Sequence, residues 1–150
     1  MAKKIVDLRI NLKKLLDNMN RTAYYYYVGI WEIITSENYD DWFQEQTEDD
    51  KALIRSKAYL LGEYGPNLKR PYADTLKGSK KLANLKELRA KTDAHEFRVA
   101  YIFDPERKGL LLIGGDKKGK NQRKFYKDLI SEAEQIYAAY LEKRINEKEK

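Results

Sequence analysis

Arg89 and Arg98 are the residues best placed to do chemistry in this chain. They flank a polar run, Lys91-Thr92-Asp93-Ala94, that reads as a turn. A turn centred between Asp93 and Ala94 sets Arg89 opposite Arg98. Side chains alternate faces along a strand. Glu87 and Ala100 then share the arginine face, and Leu88, Phe97, Val99, Tyr101 and Phe103 take the other. Like charges directly opposite each other repel. Two readings follow. Either an anion sits between the guanidiniums, or both are solvated on an exposed sheet face with Glu87 as a local partner. For a phosphate, the planar guanidinium fork offers two parallel hydrogen bonds that lysine cannot reproduce.

More cations surround this pair. The segment 67–84, NLKRPYADTLKGSKKLAN, reads as a long loop. Loops of that length are usually functional or mobile. Its Lys69, Arg70, Lys77, Lys80 and Lys81 can contact phosphates. A second run, Gly114-Gly115-Asp116-Lys117-Lys118-Gly119-Lys120-Asn121, is rich in glycine and lysine. Such loops can wrap a phosphate with backbone N–H groups. The Walker spacing is missing, so a nucleotide P-loop is not supported. The charge is also unevenly spread. Residues 31–68 carry a net −6, residues 69–98 a net +5 and residues 105–128 a net +5. Basic charge gathers around the two arginines, as suits a polyanionic partner.

The elements that must hold these residues can be read from periodicity. Leu85–Ala90, Phe97–Phe103 and Leu110–Ile113 are apolar runs separated by turn signals, the second being Asp104-Pro105-Glu106-Arg107-Lys108-Gly109. They predict a three-stranded antiparallel meander. Before it, Thr35 or Ser36 can cap a short helix with Tyr39, Trp42 and Phe43 on one face. Thr47-Glu48-Asp49-Asp50 resembles a capping box, and Leu53, Ile54, Leu60, Leu61 and Tyr64 stripe the helix that follows. Gly65-Pro66 ends it. These two form an αα-hairpin, with the acids on a solvated face. A last helix is expected from about Gln122 to Arg144, with Phe125, Leu129, Ala133 and Ile136 on its apolar side. Residues 1–28 read as an amphipathic helix (Ile5 to Met19) followed by the tyrosine-rich strand Tyr24–Val28. The main domain is expected at 29–145, with a fraying tail at 146–150.

The totals narrow the chemistry. With 150 residues and 42% hydrophobic content, one domain with a real core is expected. There is no cysteine, which excludes disulfides, thiolate metal sites and cysteine nucleophiles. A single histidine, His95, excludes a histidine-rich metal cage, and its place beside the turn predicts a surface position. No apolar run approaches the ~20 residues of a membrane span, and no signal peptide is apparent. A cytoplasmic location is expected, with no cofactor and no membrane partner.

Taken in order, Trp31-Glu32-Ile33-Ile34, Gly65-Pro66-Asn67-Leu68, Arg70-Pro71, Leu76-Lys77-Gly78-Ser79, Leu85-Lys86-Glu87-Leu88-Arg89, Phe97-Arg98-Val99, Phe103-Asp104-Pro105, Gly114-Gly115-Asp116-Lys117 and Phe125-Tyr126 form a pattern. The chain resembles the RelE/HigB superfamily of bacterial toxins, within it the phage-derived HigB-like group, from Trp31 to about Leu141. The resemblance implies a compact α+β domain: a twisted antiparallel sheet with an αα-hairpin and a C-terminal helix. It implies cleavage of messenger RNA on the translating ribosome, and an antitoxin partner, often of the helix-turn-helix type. It also implies roles for residues. Arg98 matches the arginine on the middle strand, a phosphate stabiliser. Tyr126 matches a tyrosine that stacks a base or assists proton transfer. Arg89 matches the arginine ending the preceding strand, and Lys86, Lys117 and Lys118 are softer matches. Some HigB relatives use a catalytic histidine, whereas His95 lies beside a turn; residues 1–28 fall outside the resemblance.

The implied reaction has simple needs. RNA carries its own nucleophile, the 2′-OH, beside the scissile phosphate. Cleavage needs that hydroxyl deprotonated, the added phosphate charge stabilised and the leaving 5′-oxygen protonated; a metal is not required. Two other readings use the same cations: a non-catalytic RNA- or ribosome-binding module, and a co-repressor acting with its antitoxin.

Overall fold

The structure, a computed structural model, describes residues 31–149. The expected N-terminal helix and tyrosine-rich strand lie outside the described residues. The chain runs β1 (Glu32–Thr35), α1 (Glu37–Gln44), α2 (Glu48–Tyr64), β2 (Ala73–Thr75), β3 (Lys86–Lys91), β4 (Glu96–Phe103), β5 (Lys108–Asp116) and α3 (Gln122–Lys148). No described helix is long and apolar enough to cross a membrane.

Local chemistry sets the helix boundaries. Ser36 caps α1 by accepting from the Tyr39 N–H at 3.0 Å. Its hydroxyl also donates to the Leu112 carbonyl at 2.6 Å, tying the start of α1 to β5. Thr47 caps α2 by accepting from Asp50 N–H, and three acids in the first turn complement the helix dipole. Gly65 ends α2 at φ +55°, where any side chain would run into the Trp31 indole. Asn121 caps α3 through the Lys124 N–H. The last helix continues to Lys148, beyond its expected end and through most of the expected fraying tail. Arg144 helps hold this region, because its guanidinium reaches Asp104 at 3.2 Å and Glu106 at 2.7 Å.

The five strands form one sheet in the order β1-β5-β4-β3-β2. The meander β3-β4-β5 is antiparallel as expected, and Arg89 lies opposite Arg98. β1 adds in parallel to β5, so the sheet is mixed. Helices cover both faces. α1 and α2 pack on Leu88, Phe97, Val99 and Tyr101 through Tyr39, Ile54 and Leu61. α3 packs on Ala100, Ile102, Leu110 and Leu112 through Leu129, Ile130 and Ala133.

Two segments differ from expectation. The stretch 67–84 is not all loop: Ala73–Thr75 pairs antiparallel with β3 as an edge strand. The rest is pinned to α3, since Ser79 donates to Glu134 at 2.8 Å and accepts from the Leu82 N–H. Gly114 and Gly115 belong to β5 rather than to a phosphate-wrapping loop. Their glycines serve packing: the Trp42 ring lies against one and Phe125 against the other. Gly114→Ala would push a methyl into the indole. It should destabilise the domain by about 1–3 kcal/mol, as over-packing does, and thermal unfolding would register the loss.

Candidate functional site

The arginine face of the meander does not lie open. α3 crosses it, so Ala100 is fully buried and Arg98 only 7% exposed. The space beside Ala100 is therefore filled by the helix, which leaves no room there for a ribose-phosphate. Burying a guanidinium requires a partner, and Glu87, 3% exposed, supplies it. Arg98 Nε lies 3.4 Å from Glu87 Oε2. Arg98 Nη1 donates to the Phe97 carbonyl at 2.9 Å. Arg89 donates to Glu87 Oε1 from Nε at 3.2 Å and Nη2 at 3.0 Å. The opposed arginines are thus held together by a carboxylate within the protein.

Tyr126, in the second turn of α3, completes the cluster. Its hydroxyl donates to Glu87 Oε2 at 2.9 Å and accepts from Arg98 Nε at 3.3 Å. The direction of these bonds is forced, because a guanidinium only donates and a carboxylate only accepts. Burial raises the phenol's pKa, and the Arg98 hydrogen bond offsets part of the rise. Lys117 Nζ sits over the Tyr126 ring at 5.8 Å from its centroid and 3.7 Å from Glu96. On the outer side, Arg89 lies 3.7 Å from Asp74, which also pairs with Arg70 at 2.6 Å. The Arg70 hydrogen bond is the main reason that the Asp74 carboxyl sits below its ordinary pKa.

Arg89 and Tyr126 open onto a groove of about 1180 Å³ between α3 and the segment joining β2 to β3, with the buried Glu87 at its floor. Arg70, Lys77, Lys80, Lys81 and Lys117 line it, together with Arg123 and Lys127 of α3. Among the described residues its acids are Asp74, Glu87 and Glu134 against eight cations, so the groove is strongly cationic.

The structure therefore gathers Arg89, Tyr126, Arg70, Lys77, Lys80, Lys81 and Lys117 on one groove, with Arg98 beneath its floor. Four expected residues are elsewhere. Lys86 pairs with Tyr101, so strand alternation puts it on the opposite face of the sheet. Lys69 does not line the groove. Lys118 donates to the Asp93 carbonyl in the β3–β4 turn. Lys120 lines a separate cavity of about 700 Å³ with Trp42, Gly114 and Phe125. His95, expected on the surface, is half-buried: its Nδ1 meets Asp116 at 2.6 Å and its ring stacks on Phe97 at 4.9 Å. It braces the turn on the side of α2, away from Tyr126.

Sequence reasoning missed Glu87 as a site residue, along with Arg123 and Lys127. Signals for all three exist. Glu87 is the acid that strand alternation puts on the arginine face between the two arginines, two residues from Arg89 and beside Ala100. Arg123 and Lys127 are four residues apart and bracket Tyr126, so all three lie on neighbouring parts of one helix surface.

Comparison with known proteins adds a separate line of support. The family described as phage-derived protein Gp49-like (DUF891) matches residues 41–138, from the second half of α1 to past the middle of α3. Two relatives come from Mycobacterium tuberculosis. "Putative toxin HigB3" is 35% identical over 103 residues, 69% of this chain and 87% of that protein. "Putative toxin HigB2" is 31% identical over 106 residues, 70% of this chain and 52% of that protein. The chain thus spans about half the length of HigB2 and most of HigB3.

Proposed function

We propose a function from one premise: the chain belongs to the phage-derived Gp49-like family. It is the toxin of a toxin-antitoxin pair, as the printed names of its HigB relatives suggest. Its activity is metal-independent endonucleolytic cleavage of messenger RNA on the ribosome. One observation carries this reading: a cationic groove of about 1180 Å³ has Tyr126, Arg89 and Glu87 converging on its floor.

The parts divide by position. Lys77, Lys80, Lys81, Arg123 and Lys127 follow the phosphate backbone, which binds without regard to sequence. Arg89, partly exposed at the groove, meets the scissile phosphate. Arg98 lies deeper and acts mainly by holding Glu87 and Tyr126 in register. Cationic donors aimed at the phosphate stabilise its added charge in the transition state, worth on the order of 10²–10³ in rate each. The partner is a cognate antitoxin, of the helix-turn-helix type, that screens this groove when the toxin is silent.

Expression with and without the neighbouring gene tests the reading, with the 5′ ends of cellular transcripts mapped in both. Growth arrest only without the neighbour, with new 5′ ends inside translated frames, is expected. Arrest without new ends would replace the nuclease by a non-catalytic ribosome binder.

A further inference from the structure

We propose that Glu87 is the terminal proton acceptor of the cleavage reaction, reached through the hydroxyl of Tyr126. The proposal rests on the endoribonuclease reading above and assigns a step that it left open. Glu87 is almost wholly buried, so a ribose cannot touch its carboxylate. Tyr126 does line the groove, and its hydroxyl proton points along a 2.9 Å hydrogen bond to Glu87 Oε2. A phenol raised by burial stays protonated near neutral pH and cannot itself begin as the base. A relay removes that obstacle. As the 2′-oxygen bonds to phosphorus, its proton passes to the Tyr126 oxygen. The phenolic proton passes in the same step to Glu87. The bond from phosphorus to the 5′-oxygen breaks, the electron pair leaves with that oxygen, and a proton from solvent completes the 5′-hydroxyl. The other product is a 2′,3′-cyclic phosphate. Tyr126 is neutral before and after, and Glu87 ends protonated.

The groups facing Glu87 fit this role. Arg89 on its own strand, Arg98 on β4 and Tyr126 from α3 contact it, Asp74 lies opposite it on β2, and Lys117 after β5 sits over the Tyr126 ring. In the free protein the two guanidiniums serve the carboxylate. An incoming phosphate competes for the Arg89 donors, which leaves Glu87 less neutralised at the moment it must take a proton.

The test measures cleavage of ribosome-bound mRNA across a pH series by wild type, Glu87→Gln, Glu87→Ala, Tyr126→Phe and the Gln/Phe double variant. Glu87→Gln should still fold, at some cost in stability because buried Arg98 loses its charged partner, and still bind RNA, but cut roughly 10²–10⁴-fold more slowly, the usual worth of a proton-transfer group. The wild-type rate should fall as pH drops, and the glutamine variant should lose that acid limb. Formate should partly restore Glu87→Ala, which a purely structural loss would not allow. The double variant should be no slower than the slower single, since both residues act as one unit. Should the alanine variant not fold, the pH profile of Glu87→Gln decides alone. An acid limb retained in Glu87→Gln, or independent losses that multiply in the double variant, would overturn the relay while leaving the nuclease standing. A wild-type protein that does not cut would overturn the nuclease reading, and the relay with it.

Discussion

Arg98→Ala should abolish RNA cutting and also lower the stability of the domain. The arginine is buried, and its removal takes one of the two guanidiniums from a carboxylate that is itself 3% exposed. Breaking a buried ion pair from one side typically costs about 3–5 kcal/mol. Here Arg89 and Tyr126 remain bonded to Glu87, so a smaller cost, roughly 2–3 kcal/mol, is expected. Arg98→Lys should recover part of the stability but little activity, because an ammonium cannot hold both Tyr126 and the Phe97 carbonyl in the same geometry. A paired substitution separates the two losses. With Arg98→Met and Glu87→Leu together no buried charge is left stranded, since the partly exposed Arg89 keeps Asp74 at 3.7 Å and faces the groove, and stability should return towards wild type while cutting stays absent. Urea unfolding and cleavage assays below each variant's melting temperature make the comparison. A fully stable, fully active Arg98→Ala would remove the cluster from both roles.

Reversing two charges on α3 should have the largest effect on binding. Arg123 and Lys127 line the groove from the helix, and neither is held in an ion pair among the described residues. In Arg123→Glu/Lys127→Glu the backbone should be little affected. Arg123 lies in the first turn, where an acid complements the helix dipole. Single-stranded RNA should bind at least about tenfold more weakly at low salt, since two attractive contacts become repulsive. The dependence of log affinity on log salt should flatten by about 1.4, because each lost phosphate contact removes about 0.7 from the slope on single strands. Anisotropy titrations with a labelled RNA over a salt series would show it. An unchanged slope would mean that the strand takes another path.

Much of the framework was legible before the coordinates. Ser36, Thr47 and Gly65 mark helix ends through chemistry confined to a few neighbouring residues. The Arg89–Arg98 register follows from one turn position. What could not be read depends on contacts far apart in the chain. An apolar stripe from Phe125 to Ile136 announces a helix that needs cover, but not the sheet face that it will choose. That choice converts Arg98 from a solvated cation into a buried one and Glu87 from a bystander into the hub. Gly114-Gly115 looks like a phosphate loop until Trp42 and Phe125 are seen against it. Ala73–Thr75 is too short to show a strand period and is recognised only by its pairing with β3.

The distance in sequence between Glu87 and Tyr126, 39 residues, also carries a consequence for the order in which the molecule comes into being. The hairpin with Glu87, Arg89 and Arg98 closes through a short turn and can form early. Tyr126 arrives on the last described element, across a much longer loop, whose closure is slower and entropically costlier. Domains fold as they emerge, the earlier parts first. A newly made chain therefore presents its cations before it possesses its hydroxyl, and it matures into a working molecule only when α3 docks.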